Sequence, residues 1–92
     1  MNRLINIGFG NVINSSKIVS IISPDAAPIK RMVQTAKDTG MAIDATCGRR
    51  TKAVIVTDSG HLILSSLLPD TITGRVNQFY EENQDVNSNK HI

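Results

Sequence analysis

An α+β domain built on a small, mostly antiparallel sheet is what this sequence predicts, and three features predict it. Alternating or β-branched apolar runs recur between short, glycine-marked turns. One segment after the second such run carries a helical stripe that stops at a glycine. A second helical pattern follows Pro69 near the C-terminus.

The elements follow in order. "RLINIGFG" alternates, with Ile5, Ile7 and Phe9 on one side and Leu4, Asn6 and Gly8 on the other, as in a strand. "GFGN" then reads as a tight turn or kink, because glycine tolerates positive φ. "KIVSIIS", apolar on both faces, predicts a covered strand. In the next segment Ser23 or Asp25 can cap a helix, and Pro24 and Pro28 are tolerated in a first turn whose amides lack intrahelical partners. Ile29, Met32, Val33 and Ala36 recur at helical spacing, and Gly40 supplies the stop.

"MAIDAT", "KAVIVT" and "HLILSSL" predict three further strands joined by "CGRR" and "DSG", loops short enough to favour an antiparallel meander. Val54, Ile55 and Val56 in succession indicate a central strand covered on both faces. After Pro69, Ile72, Val76 and Phe79 fall at helical spacing, although Gly74 weakens that helix by about 1 kcal/mol relative to alanine. The expected organisation is one domain over residues 1–80 and a mobile polar tail over 81–92.

Composition narrows the function. Aromatics are limited to Phe9, Phe79 and Tyr80, so the core must be aliphatic, and a small core favours self-association. With one cysteine, Cys47, no intramolecular disulfide or cysteine-based metal site can form. The N-terminus lacks a signal-peptide pattern, and no apolar run reaches the roughly 20 residues of a membrane span. A soluble, cytoplasmic protein is expected. The net charge of +2 conceals an asymmetry: residues 1–80 hold nine basic and five acidic side chains, a net of +4.

Catalytic chemistry is poorly supplied. His61 and His91 are the only histidines, His91 in the expected tail, and Asp44, Asp58 and Asp70 are dispersed without metal-ligand spacing. The GxG of Gly8 and Gly10 lacks a third glycine and a following helix, so it reads as a turn or bulge. Neither an enzyme nor a cofactor, metal or small-molecule substrate is expected.

"GRRTK" is the sharpest signal. Arg49, Arg50 and Lys52 place three cations within four residues, on or beside a turn. Arginine offers a planar fork for phosphate, and a protruding turn lets it reach a groove. An exposed hairpin whose charges maintain solubility and blunt an edge is the competing reading, and the residues alone leave the two open. Lys30, Arg31 and Lys37 add charge to the polar side of the helix. Because adjacent strand residues face opposite ways, Lys52 is not expected to share Arg50's surface automatically. Three aromatics, at least partly needed inside, do not make the stacking platform of a single-strand RNA binder, whereas duplex DNA held by its backbone needs only placed cations.

Four segments, "INIGFGN", "SPDAAPIKRM", "IDATCGRRTKAVIVTDSGHLILS" and "LPDTITGRV", together closely resemble the RemA family, small bacterial regulators of extracellular-matrix genes. The resemblance runs over about residues 4–76. It implies a DNA-binding transcriptional regulator without a helix-turn-helix, a fold related to LytTR-type DNA-binding domains, and assembly into rings whose outer surface wraps DNA. Carried over by position, the family's arginine pair falls on Arg49 and Arg50, and a further DNA-contacting basic residue falls on Lys17. The family usually has arginine at that last position, and lysine there forgoes bidentate geometry. Cys47 stands where the family commonly has an aromatic.

The sequence thus leads to a homo-oligomeric regulator of biofilm-matrix genes that bends or wraps duplex DNA. Its contacts would be Arg49, Arg50 and Lys17, with Lys52 and Arg31 secondary. The alternative is a self-assembling scaffold whose arginines pair with Asp44, Asp58 or a neighbouring copy's acids.

Overall fold

The structure is a computed structural model and describes residues 3–78. Among the described residues, six strands and two α-helices make a three-layered α+β fold. Strands β1 (Leu4–Gly8) and β2 (Asn11–Asn14) form an antiparallel hairpin. A single 3₁₀ turn, Ser15–Lys17, leads into β3 (Ile18–Ile22), which is followed by helix α1 (Ala27–Asp38). Strands β4 (Ala42–Asp44), β5 (Ala53–Thr57) and β6 (Leu62–Ser65) complete a four-stranded sheet in the order β3-β5-β6-β4. A second helix, α2, covers residues 69–78. Phe79, Tyr80, His91 and the expected tail over 81–92 lie outside the described residues.

Alternation along β5 divides the core into two. Val54 faces α1 with Leu62, Leu64 and Ala36, joined by Ile29, Val33 and Val56. Ala53 and Ile55 face the opposite way and meet Ile5, Ile7 and Ile13 of the hairpin, Ile63 of β6 and Ile72 of α2. Val54 and Ile55 are fully buried, as their uninterrupted apolar run predicts for a central strand. Helix α1 keeps the predicted stripe and stops before Gly40, but Met32 at its margin stays partly exposed. Its N-cap is Ala26, with no side-chain cap; the expected caps, Ser23 and Asp25, hydrogen-bond to each other instead.

Four expectations are corrected. The strand expected to be covered, β3, lies at the sheet edge with Val19 exposed. The hairpin partner strand β2 was not foreseen, because "NVIN" is short and half polar and pairs through a turn that looked like a kink. The meander fails: β5 and β6 form the expected antiparallel hairpin, but β4 pairs parallel with β6 at the far edge. Antiparallel pairing with β5 is unavailable to β4 because β5 is already flanked by β3 and β6. Phe9 leaves the alternation of β1, since the ladder is irregular between Asn6 and Gly8 and the strand ends at Gly8. It is half exposed and contributes nothing to either core cluster.

One side chain ties the layers together. Ser65, fully buried at the end of β6, donates its hydroxyl to the Ile7 carbonyl of β1 at 2.8 Å and accepts from the Leu67 amide at 3.1 Å. Its backbone carbonyl accepts from the Lys52 amide at 2.8 Å. Arg75 of α2 reaches the Asn6 carbonyl, adding a second link to β1. Ser65→Ala strips the Ile7 carbonyl and Leu67 amide of a shared partner. It is expected to lower the unfolding free energy by about 1–3 kcal/mol, measured by urea denaturation at unchanged m-value.

Candidate nucleic-acid interface

The strand order decides where the arginines go. The chain leaves β4 on one side of β6 and must re-enter the sheet as β5 on the other, a displacement of two strand spacings, about 10 Å. Residues 45–52 make that crossing over the end of β6. The Ala45 amide bonds the Leu64 carbonyl, and the Lys52 amide bonds that of Ser65. "CGRR" is therefore a crossover arch and not the tip of a hairpin.

The arch is shaped from its base. Asp44 accepts two hydrogen bonds at one carboxylate oxygen, from the Thr46 amide at 2.8 Å and the Thr46 hydroxyl at 2.6 Å. These bonds, chiefly the hydroxyl and then the amide, hold the Asp44 carboxyl below its ordinary pKa, with a smaller contribution from the charge of Lys37. Thr46, nearly fully buried, then accepts the Arg49 amide at its carbonyl, 3.0 Å away. Between them Cys47 and Gly48 both have positive φ, 53° and 78°, the signature of a type I′ turn. The turn projects Arg49 and Arg50 into solvent, both exposed.

Two clefts flank the arginines. One, of about 230 Å³, lies between Ser23–Asp25 ahead of α1, Arg50–Lys52, and Leu68 and Pro69 at the start of α2. The other, of about 290 Å³, is lined by Phe9, Arg49, Arg50, Lys52 and Ser66. Arg50 and Lys52 belong to both, so they do share a surface, against the expectation from strand alternation. Strand β5 begins only at Ala53, so Lys52 is not bound by the pleat. The first cleft also carries the Asp25 carboxylate. The second has no acidic residue in its wall and is the better anion site. Among the described residues, no acid ion-pairs with Arg49, Arg50 or Lys52. Asp44 is committed to Thr46, and Asp58 pairs with Lys17 at 3.5 Å.

The other two basic candidates lie elsewhere. Lys17 precedes β3, beside the β5–β6 turn, and its carbonyl accepts the Asp58 amide. It is thus at the Thr57 end of β5, whereas the arginines are at the Ala53 end. Four residue steps of strand separate them, roughly 13 Å. Arg31, the fifth residue of α1, is exposed and lines neither cleft.

Phe9 was missed by reading the sequence. Its ring lies 5.5 Å from the Arg49 guanidinium, a cation–π contact worth about 0.5–1 kcal/mol at an exposed site. The available signal was its flanking glycines. Gly8 and Gly10 have φ of 111° and 76°, and Phe9 between them has φ 54°, so three successive residues abandon the strand conformation. Such a run takes Phe9 off the buried face that its place in the alternation suggested. Among the described residues there is neither a helix long and apolar enough to cross a membrane nor a group of three potential metal ligands.

Among the described residues, one end of the sheet thus carries the arginine arch and one aromatic, Phe9. The model of the RemA-like family, described as extracellular matrix regulatory protein A-like, matches residues 4–76, and the chain belongs to this family. A relative from Lachnoclostridium phytofermentans is 65% identical over 78 residues, covering 85% of this chain and 86% of its own length. One from Alkaliphilus metalliredigens is 54% identical over 90 residues, 98% of this chain and 96% of its own. Another, from Acetivibrio thermocellus, is 50% identical over 90 residues, 98% of this chain and 97% of its own. Their names indicate a regulatory protein and specify nothing finer.

Two expectations follow from the arch. Cys47 carries a side chain in a left-handed backbone where asparagine is better tolerated. Cys47→Asn should therefore stabilise the fold by some tenths to about 1 kcal/mol, seen as a raised thermal midpoint. Asp44, with a lowered folded pKa, contributes stability fully above about pH 4 and loses it as pH falls through the folded value. Asp44→Asn, which keeps an acceptor oxygen but cannot titrate, should show a shallower loss of stability below about pH 4 in acid unfolding.

Proposed function

We propose that this chain is a transcriptional regulator that binds duplex DNA as a homo-oligomer and bends or wraps it, controlling extracellular-matrix genes of the kind named for its family. The observation that carries the proposal is the cation cluster at the arch. Arg49, Arg50 and Lys52 converge on one cleft free of acids, and none of them ion-pairs with a described acid. Charges left unsatisfied at a protruding turn suit an external polyanion.

Duplex is favoured over single strands because the cleft offers one aromatic, Phe9, and not the series of platforms on which successive bases stack. Three cations release few counterions, so one copy would bind with a salt slope of about −2 to −3. Useful affinity then calls for several copies on one duplex. Self-association is supported by Leu4, Val12, Val19 and Ile43, all exposed and apolar, and by sheet edges at β3 and β4 that no described strand covers. A ring of LytTR-like subunits acting on the nucleoid is the arrangement this reading adopts. In it Lys17 would meet the backbone away from the arch, with Arg31 a peripheral contact.

The deciding measurement is duplex retention by wild type and Arg50→Ala over a range of salt, with solution mass determined for both. Weaker binding, a salt slope shallower by about one unit and an unchanged mass are expected. A wild type indifferent to duplex at low salt, with a mutant that falls apart, would establish the scaffold instead.

A further inference from the structure

The tip of the β1–β2 hairpin spends conformational freedom on showing an aromatic ring to solvent. Gly8, Phe9 and Gly10 all have positive φ, and for phenylalanine that backbone is unfavourable. Phe9 is 51% exposed and lies outside both core clusters. The tip is nonetheless well fixed. The Gly8 amide donates to Asn6 Oδ1 at 2.7 Å, Asn11 Nδ2 donates to the Gly8 carbonyl at 2.9 Å, and Ser65 anchors Ile7 next door. An exposed ring on this hydrogen-bonded hairpin, bordering a cleft of three cations, is an apolar contact placed where a polyanion would sit.

We infer that Phe9 is a nucleic-acid contact residue, its ring packing on the sugars and base edges of a duplex groove while Arg49, held over it, meets the backbone. The inference deepens the duplex-binding reading and rests on it. Phosphate contacts from Arg49, Arg50 and Lys52 would supply charge but no apolar complement. A groove offers apolar surface, such as deoxyribose carbons and thymine methyls, that only a side chain such as Phe9 can cover. The Arg49 guanidinium covers one part of the ring, at 5.5 Å from its centre, so the two side chains would enter as a unit.

An apolar contact releases no counterions, which separates it from an electrostatic one. The experiment is a salt titration of duplex binding by wild type, Phe9→Ala, Phe9→Leu, Arg49→Ala and Arg50→Ala, with solution mass and thermal midpoint recorded for each. Phe9→Ala should weaken binding roughly tenfold at every salt concentration, giving a line parallel to wild type, with Phe9→Leu between them. The arginine variants should instead have shallower slopes. Unaltered affinity in Phe9→Ala overturns the assignment. So does a slope like that of Arg49→Ala with Phe9→Leu no better than Phe9→Ala, because Phe9 would then merely hold the arginine. Loss of assembly mass in Phe9→Ala assigns the ring to a contact between copies and also overturns it. A wild type without salt-dependent duplex binding removes the duplex reading itself, whereas a binding wild type with an unaffected Phe9→Ala removes only this inference.

Discussion

Ser65 is the point on which the structure turns. Its hydroxyl joins β1 to the end of β6 and to the segment leading into α2, while its carbonyl receives the amide that starts the return into β5. All of this happens at a fully buried position, where an unmade hydrogen bond is expensive and a made one is short-range and directional. The hairpin with its Phe9 tip and the arch with its arginines are separate in sequence. They come to border one cleft because both are fastened within two residues of the same serine.

Fastening has an electrostatic consequence. In the arch one Asp44 oxygen accepts both Thr46 bonds, which favour the charged carboxylate, and Asp58 pairs with Lys17 at the opposite end of β5. Among the described residues, neither of these acids forms an ion pair with Arg49 or Arg50. Arg49 and Arg50 keep their full charge toward solvent, which a surface ion pair would only weakly offset in any case. The local framework and the outward charge thus come from the same few residues.

Parts of this were legible from residue order alone. Helix α1 was marked by Ile29, Val33, Ala36 and its glycine stop, and β5 by three apolar residues in a row, because those signals are local. The cationic doublet on a turn was equally plain. The parallel partnership of β4 with β6 was not, since three residues of strand carry no mark of which neighbour they will choose. Nor could the sequence say that Lys17 sits a strand's length from the arginines, or that Lys52 lies with them; both depend on strand order. Phe9 was hidden by its own alternation with Ile5 and Ile7. Only the backbone turn at the two glycines reverses what that pattern suggests.

The parallel β4 leaves one more mark on the molecule. Because β3 and β6 both oppose β5, and β4 follows β6, the two outer strands of the sheet run in the same direction. The sheet therefore has a polarity, with two unlike margins. Copies joined through like margins would be related by a twofold axis and stop at a pair. Copies joined unlike margin to unlike margin would keep their sense from one to the next, a heterologous chain that ends only by closing on itself or not at all.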